Sequence, residues 1–291
     1  MTAAVPVGSD ISGARSRRLL AVFAHPDDES LGVGGTLAKS AAEGVDVFLL
    51  TATRGGAGRY RGHRPGDPEH PGAAALAAIR ERELRAAASV LGVREIVLLD
   101  YPDGRLDTVN VPDAVATIAT HVRRLRPDVV ITFGPDGGYG HPDHVAISQL
   151  TTASIVAAAD PAFTNDGAEL PVPVHTVAKL YYLAWPASTL AAYQAAIGTL
   201  SSNIDGIERH PAPLPDWAIT TTIDARESWS TVARAIACHE SQVAAYGRLK
   251  DLPTEQQRAL WGAQSFYRVF SLVNGGRVRE VDLFEGLPAS V

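Results

Sequence analysis

The sequence has one cysteine, Cys238, so it can form neither an internal disulfide nor a cysteine-based zinc site. Aromatic residues make up only 7% of the 291 residues, and no basic run alternates with them. The net charge of −6 provides no basic field for nucleic acid or an anionic membrane. No apolar run approaches the ~20 residues that a membrane-spanning helix requires. Because the sequence has only one cysteine, any bound metal must use histidine and carboxylate ligands.

The start of the chain also lacks a long apolar segment. Arg17 and Arg18 precede an apolar run, but that run covers only residues 19–24, which is too short for the core of a secretory signal. We therefore expect a cytoplasmic protein, with residues 1–16 as a mobile N-terminal tail and residues 17–291 as a single domain.

Apolar runs alternate with helical patterns in the first half of the chain. Together they predict a Rossmann-like α/β fold, in which a mostly parallel sheet is flanked by helices. The second half is less regular and is expected to form an irregular C-terminal extension with two strands and a long helix. The expected strands are 18–24, 45–53, 95–100, 128–133, 179–185 and 218–223, and the expected helices are 34–43, 73–91, 111–125, 145–159 and 225–249.

Two polar clusters follow buried strands. One is His-Pro-Asp-Asp-Glu at residues 25–29, directly after the first strand, and the other is His-Pro-Asp-His at residues 141–144, after the fourth. In a sheet of order 3-2-1-4 these strands are neighbours at the point where the winding reverses, and ligands bind there, outside the carboxyl ends of the strands. The two clusters are therefore expected on opposite sides of one crevice.

These clusters contain the residue types of a catalytic zinc site, which uses three protein ligands and a water. His25, Asp28 and His144 provide two nitrogens and one oxygen, which leaves Asp27, Glu29, His141 and Asp143 for other roles. A carboxylate beside the metal can accept a proton from water, and a histidine can stabilise an oxyanion or protonate a leaving amine. Each cluster alone could simply start a helix, with proline at the first position and acids in the first turn.

At these residues the sequence resembles the LmbE-like, or PIG-L, deacetylase family. The resemblance runs from about residue 19 to residue 242 and is strongest at Ala-His-Pro-Asp-Asp-Glu (24–29) and Gly-Gly-Tyr-Gly-His-Pro-Asp-His (137–144). It implies an enzyme that removes an acetyl group from an amino sugar with the help of one zinc ion per chain. Ferrous iron or another divalent metal is an alternative, and a homo-oligomer is possible.

The resemblance also implies roles for single residues. His25, Asp28 and His144 resemble the metal ligands, and Asp27 resembles the general base. His141 resembles the histidine that stabilises the oxyanion or acts as general acid, with Asp143 as its orienting partner. Tyr139 matches a mobile tyrosine that assists at the carbonyl oxygen.

Weaker matches concern the substrate. Arg54, in Thr-Arg-Gly after the second strand, and Asp103, in Pro-Asp-Gly after the third, resemble residues that contact the sugar, although Asp-Gly is also simply a good turn. His239, in His-Glu-Ser-Gln, is interpreted either as a substrate contact or as a buried structural histidine. The Arg-Glu-Arg-Glu run at 80–83 is expected to form a surface salt-bridge face, except at Arg82 and Glu83.

Other functions stay open. An amidase acting on larger thiol or natural-product conjugates would use the same chemistry. A catalytically silent metal- or sugar-binding protein would carry out no reaction. A nucleotide cofactor is disfavoured, because the segment after the first strand lacks the Gly-x-Gly-x-x-Gly pattern. The expected partner is a small amino sugar or a related amide, with no nucleic acid and no membrane span.

Overall fold

The computed structural model describes residues 15–163, 172–199, 201–204, 206–244, 249–276 and 278–288. Strands and helices alternate through the first half, as the sequence pattern predicts. The elements in chain order are β1 Arg18–Phe23, α1 Asp28–Ala42, β2 Asp46–Thr53, α2 Ala73–Leu91, β3 Glu95–Tyr101, α3 Val111–Leu125, β4 Val129–Thr132, α4 Gly137–Gly140, α5 Pro142–Ala159, β5 Lys179–Ala184, α6 Ala187–Ile197, β6 Ser202–Ile204, β7 Ile207–Arg209, β8 Thr221–Asp224, α7 Trp229–Cys238, α8 Thr254–Trp261 and β9 Ala263–Ser271.

Seven strands form one sheet in the order β3-β2-β1-β4-β5-β9-β8. The five strands from β3 to β5 are parallel to one another, and β9 runs antiparallel to both β5 and β8. The predicted α/β class and the predicted order of the first four strands are confirmed. Strands β1 and β4 are neighbours, so the clusters that follow them meet at one edge of the sheet.

Helices cover both faces of the sheet. α1 and α2 pack with α7, whereas α3 packs with α5. The residues of β1 from Leu19 to Phe23 are fully buried, as a central parallel strand covered on both faces requires. This rigid core fixes the ends of β1 and β4, from which the polar clusters project.

Two helices begin earlier than predicted. The first begins at Asp28 instead of residue 34, and α5 begins at Pro142 instead of residue 145. The side chain of His141 accepts a hydrogen bond from the Asp143 amide, as an N-cap residue does. The residues of the two polar clusters therefore also start helices. The interpretation as a helix start does not exclude the interpretation as a functional cluster.

The second half differs more from the prediction. The long helix expected over 225–249 is wrong, because α7 spans only Trp229–Cys238 and residues 245–248 lie outside the described part. The chain leaves the helix at His239, and the next residue but one, Ser241, donates its amide to Glu83. Strand β9 and the β6–β7 hairpin were not predicted at all.

The predicted tail at 1–16 lies outside the described residues, except for Arg15 and Ser16. Ser16 Oγ donates to Asp46 Oδ2 at 2.5 Å, and Arg15 Nη2 lies 2.6 Å from Asp128 Oδ1. Arg15 and Ser16, which were expected to belong to the tail, therefore contact residues of the predicted domain. Of the helices in the described ranges, none has both the length and the apolar character needed to cross a bilayer.

Candidate metal centre

Three side chains converge where β1 and β4 end. His25 Nδ1 lies 3.1 Å from His144 Nε2. Asp28 presents Oδ2 to His25 Nδ1 at 3.6 Å and Oδ1 to His144 Nε2 at 3.4 Å. Two ligands of a tetrahedral zinc ion, each about 2.0–2.1 Å from the metal, are separated by about 3.3 Å. The three predicted ligands are therefore spaced as such an ion requires.

The remaining nitrogen of each histidine is already engaged. His144 Nδ1 lies 3.1 Å from the Gly137 carbonyl oxygen, so it must carry the proton, and Nε2 is left with its lone pair. His25 Nε2 lies 3.1 Å from both Asp143 Oδ2 and Asp103 Oδ1, so the neutral ring carries its proton at Nε2 and its lone pair at Nδ1. Two imidazole lone pairs can face each other at 3.1 Å only with a cation or a proton between them. This pattern fits a metal ion with oriented ligands.

Electrostatics follow from this arrangement. Burial alone would lower the pKa of His25, but hydrogen bonds to Asp103, Asp143 and Asp28 raise it well above its ordinary value. Burial lowers the pKa of His144 to about 3, so its imidazole is neutral and able to bind a metal. The pKa of Asp28 is lowered despite its burial, because both histidines favour its charged form.

Among the residues that the structure describes, two overlapping groups of potential ligands have their atoms within 4.8 Å of one another: His25, His141 and His144, and also His25, Asp103 and Asp143. The second group surrounds His25 Nε2, on the far side of the ring from His144. Asp103 and Asp143 therefore contact the ring nitrogen of His25 that faces away from His144, whereas Nδ1 faces His144.

The Asp143 carboxylate contacts a different histidine from the one expected. Its carboxylate is fully buried and accepts the amides of Gly104 at 2.7 Å and Leu106 at 2.9 Å, besides its contact with His25. Its contact with His141 is through the Asp143 backbone amide, which lies 3.2 Å from Nδ1. The carboxylate therefore contacts His25 and not His141.

His141 and Tyr139 lie beside the converging ligands. The His141 ring centroid lies 4.9 Å from that of His25 and 4.8 Å from that of His144, and the Tyr139 ring lies 5.2 Å from that of His144. Burial, followed by the charge of His25, lowers the pKa of His141, and burial raises the pKa of the Tyr139 phenol. Because His141 Nδ1 accepts the Asp143 amide, the neutral ring carries its proton at Nε2.

Asp27 adopts a backbone conformation that is rare outside glycine, with φ 118° and ψ −26°. Its amide donates to Glu29 Oε2 at 2.9 Å, and its Oδ2 lies 3.1 Å from Arg80 Nη2. Arg80 is only 4% exposed, so the expectation that it forms part of a surface salt-bridge face is wrong. Arg82 is exposed instead, whereas Glu83 is buried and accepts from Ser241.

The three predicted substrate residues lie in different surroundings. Asp103 lies at the candidate metal centre. Its Oδ1 contacts His25 Nε2, and its Oδ2 accepts a hydrogen bond from the Ala57 amide at 2.7 Å. Arg54 lies further out, 35% exposed, and pairs with Asp100 and Glu81. His239 is fully buried and pairs with Glu29 at 2.8 Å, so this geometry favours the structural interpretation over a substrate contact.

Comparisons with known proteins agree with the site. The family model PIG-L, described as GlcNAc-PI de-N-acetylase, matches residues 20–155. A protein from Rhodococcus opacus named 1D-myo-inositol 2-acetamido-2-deoxy-alpha-D-glucopyranoside deacetylase is 39% identical over 78% of this chain and 82% of its own length. The protein of that name from Kineococcus radiotolerans is 33% identical over 94% of this chain and 84% of its own.

A solved structure has the same fold. The conserved protein TT1542 from Thermus thermophilus superposes with a TM-score of 0.60 and 26% identity, over 88% of this chain and 96% of that one. Identity above 30% to relatives of which this chain covers 84% and 82% establishes the family. The chain therefore belongs to the PIG-L family of de-N-acetylases, which confirms the expected class of enzyme, a hydrolase of amide bonds other than peptide bonds.

Proposed function

We propose that this protein is a zinc-dependent deacetylase that removes the acetyl group from an N-acetylglucosamine conjugate, with an inositol conjugate as the first candidate. The observation that carries the proposal is the convergence of His25 Nδ1, His144 Nε2 and the Asp28 carboxylate, each already oriented for a cation. The inositol conjugate is favoured because it appears in the names of the relatives that match most of the chain.

Zinc is the proposed ion because two imidazoles and one carboxylate form a catalytic zinc set with room for water. The chemistry that zinc supplies in such sites is acidification of water and polarisation of a carbonyl. Ferrous iron can use the same ligands, so the identity of the metal requires a measurement.

The chain's own residues complete the reaction. Asp27 accepts the proton of the attacking water, and the amide carbon becomes tetrahedral. His141 Nε2–H donates a hydrogen bond to the developing oxyanion, and the neutral Tyr139 phenol is a second donor. The proton held by Asp27 is available to the departing amine, and His141 Nε2 is the other group that can deliver one. The products are acetate and a free amine.

A second candidate is an amidase acting on a larger conjugate. A groove of about 490 Å³ borders the segment that carries His141 and is lined by Gly140, Pro142 and Arg209, among others. Its lining includes the apolar side chains of Leu106 and Val145 and the charged side chain of Arg209. A bulky group attached to the amino sugar would find space there.

The test strips the protein of metal and measures amine release with and without added zinc. The substrates are free N-acetylglucosamine, its inositol and malate conjugates, N,N'-diacetylchitobiose and a thiol-linked conjugate. His144→Ala is compared with His175→Ala, which changes a buried histidine outside the site whose Nε2 contacts the Pro127 carbonyl. We expect zinc-dependent release that only His144→Ala abolishes. Absence of metal binding, or equal activity of the two variants, would refute the proposal.

A further inference from the structure

Phe133 covers one face of the His144 ring. The two ring centroids lie 4.0 Å apart and the ring planes differ by only 7°, so the rings are stacked. Phe133 is 6% exposed and His144 is 2% exposed, so the contact is shielded from water. A ring on the face of an imidazole does not obstruct the lone pair of Nε2, because that lone pair lies in the plane of the imidazole. The stack is therefore compatible with a metal ion at this nitrogen.

The sheet fixes the position of the Phe133 ring. Phe133 directly follows β4, and Thr132 before it donates its hydroxyl to the Val22 carbonyl of β1 at 2.8 Å. The rings of Phe133 and Phe23 pack edge to face, with centroids 4.9 Å apart and planes at 77°. Phe23 is the last residue of β1, two positions before His25. The Phe133 ring is thus held between the two strands whose ends carry the proposed ligands.

A hydrogen bond alone does not fix the plane of the His144 ring. Nδ1 donates to the Gly137 carbonyl oxygen at 3.1 Å, which holds one atom of the ring in place. The ring could still rotate about this contact, and the rotation would change the direction of the Nε2 lone pair. Phe133 opposes the rotation, because a tilted imidazole would collide with a parallel ring at 4.0 Å.

We propose that Phe133 is a positioning residue that holds the plane of the His144 imidazole and so directs its Nε2 lone pair toward the metal position. The inference rests on the proposed function, since it assumes that His144 binds the metal. Phe133 acts through His144 and contributes no ligand atom itself. It should therefore affect the affinity for metal and the arrangement of the ligands, even when no substrate is present.

The first test is Phe133→Leu, which keeps an apolar side chain at this position but removes its flat face. Loss of a group that orients a metal ligand lowers metal affinity by about 10–100-fold. We expect zinc affinity to fall by about 10-fold, the lower end of this range, because the Gly137 contact remains. Competition between the metal-stripped protein and a chelator measures the affinity.

A second measurement uses cobalt in place of zinc. Co²⁺ binds to imidazole and carboxylate ligands, and its visible absorption depends on the number and the arrangement of those ligands. In Phe133→Leu we expect the absorption bands to change in position and intensity. A side chain that served only the stability of the fold would lower the free energy of unfolding and leave these bands unchanged.

Phe48→Leu is the matched control. Phe48 is also 6% exposed and lies in the same sheet, but in the first half of β2, whereas the proposed ligands follow the carboxyl ends of their strands. Both variants lose a buried phenylalanine ring, so a loss of stability common to the two can be subtracted. Phe48→Leu should keep the wild-type zinc affinity and the wild-type cobalt spectrum.

The inference is overturned if folded Phe133→Leu keeps the wild-type zinc affinity and cobalt spectrum. It is equally overturned if Phe48→Leu changes both as much as Phe133→Leu does, because the effect would then belong to the core in general. A wild-type protein that binds no metal would refute the proposed function, and this inference with it. A wild-type protein that binds zinc but cleaves no substrate of the panel would refute only the proposed substrate, since both readouts here are measured without substrate.

Discussion

His239 Nε2 and Glu29 Oε1 lie 2.8 Å apart, and neither side chain has any exposed surface. Burial alone would lower the pKa of His239 and raise that of Glu29, but each charge reverses the effect on the other, so the pair is ionised. The other oxygen of Glu29, Oε2, accepts the Asp27 amide. The end of α7 therefore supports the loop of the candidate base through a single buried carboxylate.

Removal of one member of this pair should be strongly destabilising. In His239→Ala the Glu29 carboxylate stays buried without its cation, which costs about 3–5 kcal/mol. Urea unfolding of the variant, followed by circular dichroism, measures this loss. His63→Ala is the matched control, because its contact with Glu69 at 3.7 Å is at the surface, where the expected loss is at most about 1 kcal/mol. Equal losses in the two variants would show that the buried pair contributes no more to the free energy of unfolding than the surface contact does.

The three converging side chains could be predicted from sequence because each lies close in sequence to the end of a strand. His25 and Asp28 follow β1 within a few residues, and His144 follows β4, so a correct strand order alone brings them together. Strand order in turn depends on apolar runs and right-handed crossovers, which a sequence displays clearly.

The supports of the site could not be predicted in the same way. Arg80 and Glu83 stand in a run of alternating charges that is typical of an exposed helix, and only the docking of segments distant in sequence buries them. The pairing of His239 with Glu29 spans 210 positions. Strand β9 was missed because it pairs antiparallel with β5, which lies far away in sequence, and no local sequence pattern predicts such a pairing.

A substitution of Asp143 tests which histidine its carboxylate orients. Because its carboxylate orients His25, Asp143→Asn should weaken metal affinity by about 10–100-fold, as loss of a partner of a ligand does. If Asp143 served only His141, kcat would fall and metal affinity would stay the same. Competition with a chelator measures the affinity. Asp113→Asn changes an exposed acid that likewise follows a proline at the start of a helix, and it should bind metal as the wild type does.

Arg54 is expected to act on substrate binding. Its side chain is partly exposed, and Asp100 and Glu81 hold it in place. Arg54→Gln should raise KM by about 10-fold, equivalent to about 1.4 kcal/mol, with kcat nearly unchanged. Arg85→Gln is the control, because Arg85 pairs with the same Glu81 at 2.7 Å. If both variants raise KM equally, the effect belongs to Glu81 and not to a substrate contact of Arg54.

Glu280 ties the C-terminal segment to the sheet, and its ionisation should make stability depend on pH. Its Oε1 lies 2.7 Å from both Lys179 Nζ and Arg268 Nη1, and its Oε2 accepts from Tyr181 at 2.7 Å and Thr221 at 2.8 Å. Burial alone would raise the pKa of Glu280, but its hydrogen bonds, first that of Lys179 and then those of Tyr181, Asn274 and Thr221, lower it to about 2 from an ordinary value of 4.5. Protonation is therefore easier in the unfolded chain.

A carboxylate with a lowered pKa stabilises the fold fully above its ordinary pKa, and this contribution is lost as the pH falls through the folded value. Glu280→Gln should therefore cost about 3–5 kcal/mol near pH 7, since Lys179 and Arg268 stay buried. The gap to the wild type should stay constant down to about pH 5 and shrink toward pH 2, as the wild type loses the same charge. Urea unfolding across this range measures the gap. Glu255→Gln, at a side chain 86% exposed, should show almost no gap at any pH. A gap in Glu280→Gln that does not change with pH would mean that the charge of Glu280 is not what stabilises this end of the sheet.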